Sequence, residues 1–195
     1  MTPKIDNFHK IEPYFDFVKE DDFLFVQIIQ RKKEIPELGC NNRLVKSYAV
    51  KSFDELLKYK SEIITISEAL KARAYIHLSP RNFLSVQSGM LSSIAEYYKS
   101  KTYKHIPKLF NTVCGKETGT RKLWLFDLDN KEYQYPYELS ECFKEIENKE
   151  GRQILVDTFP TKNGWHFITN PFNVGVHTIA PEAELHKNNP TILYV

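Results

Sequence analysis

The first strong signal along the chain is Phe23 to Ile29 (FLFVQII), an apolar, aromatic and β-branched run. It predicts a central strand, with Arg31-Lys32-Lys33-Glu34 as its polar exit. Leu44 to Val50 (LVKSYAV) predicts a second strand, across a loop holding Pro36, Gly39 and Asn41-Asn42. From Ser52 the period changes. Ser52 and Glu55 have the spacing of a capping box, and Phe53, Leu56, Leu57, Ile63, Ile64 and Leu70 recur at helical intervals. A helix from Phe53 to about Lys71 follows. Arg73 to Leu78 (RAYIHL) reads as a strand ended by Ser79-Pro80, and Phe83 to Lys99 as a further helix.

The hexapeptide Gly115-Lys116-Glu117-Thr118-Gly119-Thr120 is the most loop-like in the chain, and we place a lobe boundary there. Beyond it the pattern predicts a strand at Lys122–Leu128, a polar turn at Asp129-Asn130-Lys131-Glu132 and a helix at Pro136–Asn148. Strands are predicted at Gln153–Phe159, Trp165–Thr169 and Thr191–Val195. This order favours an α+β fold: mixed or antiparallel sheets with packed helices. An α/β N-terminal lobe, residues 1–118, joins an RRM-like C-terminal half, residues 119–195, in one compact unit.

Composition narrows the picture. The 195 residues are 42% hydrophobic and 13% aromatic, enough for a folded core and too apolar for a disordered chain. Lys and Arg number 27 against 25 Asp and Glu, a formal charge of +2, so any nucleic-acid surface has to be local. Cys40, Cys114 and Cys142 show no C-x-x-C spacing and read as reduced thiols. The charged, Pro-containing N-terminus and the lack of about 18 consecutive apolar residues predict a soluble cytoplasmic protein with no membrane partner.

Candidate chemistry begins in Leu123-Trp124-Leu125-Phe126-Asp127-Leu128-Asp129. Alternation puts Trp124, Phe126 and Leu128 on one face and Leu125, Asp127 and Asp129 on the other. Two residues apart along a strand is about 6.5 Å, close enough for two carboxylates to converge on a hard divalent cation. Thr161-Lys162-Asn163-Gly164-Trp165-His166 is a polar turn feeding a strand, with His166 available to hydrogen-bond a phosphate beside Lys162. Near the C-terminus Glu184 precedes a polar turn and the last strand, where Glu182, Glu184, His186 and Lys187 fit a solvated loop equally well.

An apolar strand with D-x-D, a T-x-x-G-x-H turn and strand, and an acid before a final turn and strand together resemble the three motifs of the archaeo-eukaryotic primase (primase–polymerase) superfamily. The resemblance covers residues 121–195. It implies a minimal catalytic domain that adds nucleotides by a two-metal mechanism, with Asp127, Asp129 and Glu184 as catalytic acids binding Mg²⁺ or Mn²⁺. It also implies His166, Lys162 and Lys187 on the nucleotide phosphates. The partners implied are a nucleoside triphosphate, a DNA or RNA template and a separate helicase, in replication or repair of a mobile element or phage. The family's third motif normally supplies Asp, so Glu184 is a longer arm, and Glu182 and Asp157 are alternatives to it. Arg152 is a further candidate for phosphate neutralisation, and Arg73 and Arg81 for a nucleic-acid path. Two other readings stand beside this one. His77-Leu78-Ser79 matches one H-x-S element of a 2H-type phosphoesterase, whose second element is off-length at His166–Thr169 and at His177-Thr178. The alternative from another class is a non-catalytic nucleic-acid-binding module.

Overall fold

The computed structural model describes residues 4–129, 134–176, 179 and 182–195. The predicted turn at Asn130–Glu132 and the His177-Thr178 pair lie outside them. In chain order the elements are β1 (Asp22–Arg31), β2 (Asn42–Val50), α1 (Phe53–Ala69), β3 (Arg73–Asn82), α2 (Phe83–Ser100) and α3 (Leu109–Lys116). They continue with β4 (Trp124–Leu128), α4 (Gln134–Glu150), β5 (Leu155–Pro160), β6 (Trp165–Thr169), β7 (Ala183–His186) and β8 (Thr191–Tyr194). Short 3-10 turns precede β1 and link α2 to α3. Two four-stranded antiparallel sheets result, in the orders β2-β1-β3-β8 and β5-β6-β4-β7, so the fold is α+β. Among the described residues no helix is long and apolar enough to cross a membrane.

β1 is central to the first sheet, and both its faces are used. Leu24, Val26 and Ile28 form one core with Leu56 and Ile63 of α1 and Phe8 and Ile11 from the chain start. Each such side chain taken from water contributes roughly 1.5–3 kcal/mol before chain entropy is charged against it. Ser52 caps α1 as its spacing requires: its hydroxyl accepts from the Glu55 amide at 3.2 Å, while Glu55 accepts from the Lys51 amide at 2.7 Å. On the opposite face Phe23 and Phe25 pack with Val86 of α2 and Cys114 of α3.

In the second sheet β6 lies between β4 and β5, so β4-α4-β5 is a split β-α-β unit of the RRM-like kind. Phe126, Leu128 and Phe167 pack against Leu139, Phe143 and Ile146 of α4. The reverse face sends Leu125, Ile168 and Phe159 into the core of the first sheet, which locks the two sheets together.

Three strand assignments differ from the pattern reading. β8 follows the second lobe in sequence, yet it pairs with β3 in the first sheet. Its other edge is taken by the chain start, where the Asn7 amide donates to the Leu193 carbonyl at 2.9 Å and Asp6 bridges Tyr194. β3 does not stop at Ser79-Pro80. It runs on to Asn82 through a bulge in which Phe23 pairs with Arg81 and Phe25 with His77, and such an irregular site tolerates proline. β7 is a strand that the pattern reading does not contain. Its pattern is a short alternation, with Ala183 and Leu185 on the α4 core and Glu184 and His186 on the other face.

A candidate acidic and cationic cleft

Asp127 sits on β4, a central strand with a partner on each side. His166 of β6 is its register partner on one side and Glu184 of β7 on the other. Directly paired residues share a sheet face with Cβ atoms about 4.5–5.5 Å apart, so pairing alone aligns acid, acid and imidazole in a row. Leu125 pairs with His186, which brings that imidazole onto the same face, and Asp129, just past the end of β4, lines the same cleft. His186 Nε2 stands 3.7 Å from Glu184 Oε2, and His166 Nε2 stands 3.5 Å from Asp127 Oδ1. The other His166 nitrogen, Nδ1, is 2.9 Å from Thr191 Oγ1, so β8 of the first sheet orients a ring carried by the second.

This face forms one wall of a cleft of about 650 Å³ between the sheets. The facing wall is the far end of β1 and β3, where Ile29, Arg31, Arg73 and Tyr75 line the space. Arg31 Nη1 donates to the Tyr75 hydroxyl at 3.4 Å. Glu34 accepts from Arg73, with Nε at 2.8 Å, and its Oε1 is 3.7 Å from Lys162 Nζ. Lys162 lies in the turn where the Thr161 hydroxyl accepts from the Gly164 amide at 3.0 Å, so Glu34 links the turn to the opposite wall. Acids on one wall and guanidinium groups on the other suit a ligand that is itself anionic and carries cations.

The electrostatics are those of a strained site. Burial, Asp129 and Glu184 all push the Asp127 carboxyl above its ordinary range, against a smaller pull from His186 and Arg31. Its side chain is 31% exposed, yet Oδ1 is closed off from solvent and has no hydrogen-bond partner among the described residues. His166 is held down at about 4, first by burial and then by His186 and Arg73, so it is neutral at neutral pH. A sealed, partnerless carboxylate oxygen beside two more acids fits a divalent cation. Among the described residues no three His, Cys, Asp or Glu side chains are already drawn in as a metal cage. A hard cation held here would complete its shell with water and phosphate oxygens, as Mg²⁺ does at carboxylate sites.

The expected site residues therefore divide. Asp127, Asp129, Glu184, His166 and Lys162 line one cleft, joined by Arg73. Lys187 does not line it: its ammonium lies 5.1 Å over the Trp124 ring, on the α4 side of the sheet. Arg152 is bound to Glu150 and to the Pro171 carbonyl, away from the cleft. Asp157 is paired with Lys10 at 2.8 Å, and Glu182 is exposed ahead of β7. Arg81 is no part of a surface path. It is 0% exposed and donates to the carbonyls of Ser79 and Cys114 and to Asn188 Oδ1. Its Nη2 also donates to His77 Nδ1 at 2.7 Å, while His77 Nε2 faces Gln27 Oε1 at 3.3 Å. With both nitrogens engaged and its pKa held down to about 3 by burial and Arg81, His77 is a structural residue, which removes the basis of the phosphoesterase reading. Arg31, His186 and Thr191 were missed as site residues. The A-E-L-H alternation held the signal for His186; nothing local signals Arg31 or Thr191, which reach the site only through sheet register.

The chain matches no protein-family model, no curated protein and no solved structure.

Proposed function

We propose that the chain is a nucleotidyltransferase of the primase–polymerase kind, which adds nucleotides to a growing strand. One observation carries the reading: Asp127 paired on its two sides with His166 and Glu184, in a cleft whose opposite wall bears Arg31 and Arg73. Asp127, Asp129 and Glu184 are the residues that would hold Mg²⁺ or Mn²⁺. When bound, such cations lower the pKa of an attacking 3′-hydroxyl and neutralise charge on the leaving pyrophosphate.

The chain's own groups then have distinct roles. The Thr191 hydroxyl shares a hydrogen bond with His166 Nδ1; in the tautomer this role requires, the hydroxyl donates and the imidazole proton sits on Nε2, the nitrogen turned toward Asp127 and the cleft. Neutral His166 is thereby a hydrogen-bond donor to a phosphate oxygen and adds no charge against the cations. Arg31, Arg73 and Lys162 supply the positive potential that a triphosphate needs, with Tyr75 and Glu34 fixing the first two.

The test is incorporation of labelled nucleotide on primed and unprimed templates with Mg²⁺ or Mn²⁺, for the native protein and Asp127→Ala. Metal-dependent incorporation that is lost in Asp127→Ala supports the reading. No incorporation under any condition, with template binding unaffected by the substitution, overturns it in favour of a binding module.

A further inference from the structure

The formal charge of +2 is unevenly spread. Residues 97–108 (YYKSKTYKHIPK) hold four lysines and no acid, a local +4, and the remainder of the chain is net −2. These residues form the end of α2, a reversal at Lys101 in the left-handed region (φ 55), and the 3-10 turn Tyr103–Lys108. Lys99, Lys101, Lys104 and Lys108 are all exposed. Among the described residues none of the four forms an ion pair, whereas Lys4, Lys10, Lys46, Lys60, Lys144 and Lys162 each do. Interleaved with them, Tyr98 is 73% exposed and Tyr103 51%, their ring centroids 6.4 Å apart in an edge-on arrangement. Unpaired cations around open aromatic faces are the two elements from which single-stranded nucleic-acid surfaces are built.

The position of the turn agrees. α3 follows it directly, and Phe110 packs on Phe23 and Phe25 while Ser47 Oγ bonds Asn111 Oδ1 at 2.5 Å. Phe25, Gln27, Ile29 and Arg31 alternate onto one face of β1, so this helical unit covers one end of the face whose other end lines the cleft. Phe25 and Ile29 are four residues apart, about 13 Å along the strand.

We propose that the 97–108 turn grips single-stranded nucleic acid, its lysines on the phosphates and Tyr98 and Tyr103 stacked on unpaired bases. Duplex hides its base faces, and anionic lipid gives the tyrosine rings nothing to stack on. The grip stands apart from the proposed catalysis and is measured without it.

The experiment is fluorescence anisotropy of a labelled oligodeoxythymidylate of about 20 nucleotides, with chelator and no nucleotide present, across a salt series. In one variant Lys99, Lys104 and Lys108 become Gln and Lys101 becomes Gly, which suits the left-handed backbone and spares the fold. Affinity should fall at least tenfold, and the salt slope should flatten by up to about 0.7 per lysine removed. Tyr98→Ala and Tyr103→Ala should each cost about fivefold or more. Lys144→Gln, on exposed α4 surface, should bind as the native protein does. The proposal is overturned if the native protein ignores the oligonucleotide or binds its duplex equally well. Native-like binding by the lysine variant or by both tyrosine variants overturns it too, as does co-sedimentation with phosphatidylserine vesicles without oligonucleotide binding.

Discussion

Replacing Asp127 with Asn should make the protein more stable and deaf to divalent cations. In the native chain this carboxylate is pressed by burial and by Asp129 and Glu184, and its sealed Oδ1 accepts no hydrogen bond among the described residues. A buried polar group left without a partner costs about 1–3 kcal/mol, more when charged. Asn keeps the shape, removes the charge and offers an amide donor toward Glu184, its cross-strand neighbour. The expected gain of about 1–3 kcal/mol raises Tm by about 2–12 °C for a chain of 195 residues. The assay is thermal unfolding by circular dichroism in chelator near neutral pH, repeated with Mn²⁺. If the site takes the cation as proposed, Mn²⁺ at about 100 times its Kd should stabilise the native protein by about 2.7 kcal/mol, and the variant far less. Acidification narrows the gap in chelator, because protonation through the raised Asp127 pKa removes the same charge that Asn removes. A variant that melts at or below the native protein in chelator refutes this reasoning, since Asp127 would then be making a favourable interaction in the unliganded fold.

Acid should weaken the fold through His77. Its folded pKa of about 3 lies below the ordinary 6.5, so the unfolded chain binds the extra proton in that window. Stability is therefore intact above about 6.5 and declines as pH falls, by about 2–3 kcal/mol at about pH 4.5, with His166 adding loss of the same sign. Urea unfolding at the two pH values measures this, and a flat profile contradicts it. Gly119→Ala should destabilise by about 2–4 kcal/mol. The backbone there has φ +76, and a Cβ would stand 2.8 Å from both the Pro80 carbonyl oxygen and Ser79 Cβ. A native-like urea midpoint for this variant would show that the connection into β4 is not clamped on β3.

Much of the local structure was legible because its causes are local. The FLFVQII run, the Ser52–Glu55 cap and the alternation in LWLFDLD each act within a few residues, and each produced the expected element. The same alternation grouped Asp127 with Asp129, and both line the cleft. β7 was harder: four residues with two polar side chains carry little burial of their own, and the strand exists because Ala183 and Leu185 meet the α4 core. Arg81 read as lining a nucleic-acid path and Lys187 as a phosphate contact, since a charge says nothing of where a bulge or a sheet face will take it.

By itself the sequence determined the kinds of element, the α+β class, the chemical identity of the acids and His166, and the concentration of positive charge in residues 97–108. Tertiary structure decided which of these groups meet. Register pairs Asp127 with His166 and with Glu184, residues 39 and 57 positions later, and the return of β8 to the first sheet brings Thr191 to the imidazole. The physical reason is range. Propensity and periodicity act over one or two turns, whereas strand pairing and core packing set distances between residues whose separation along the chain carries no information about them.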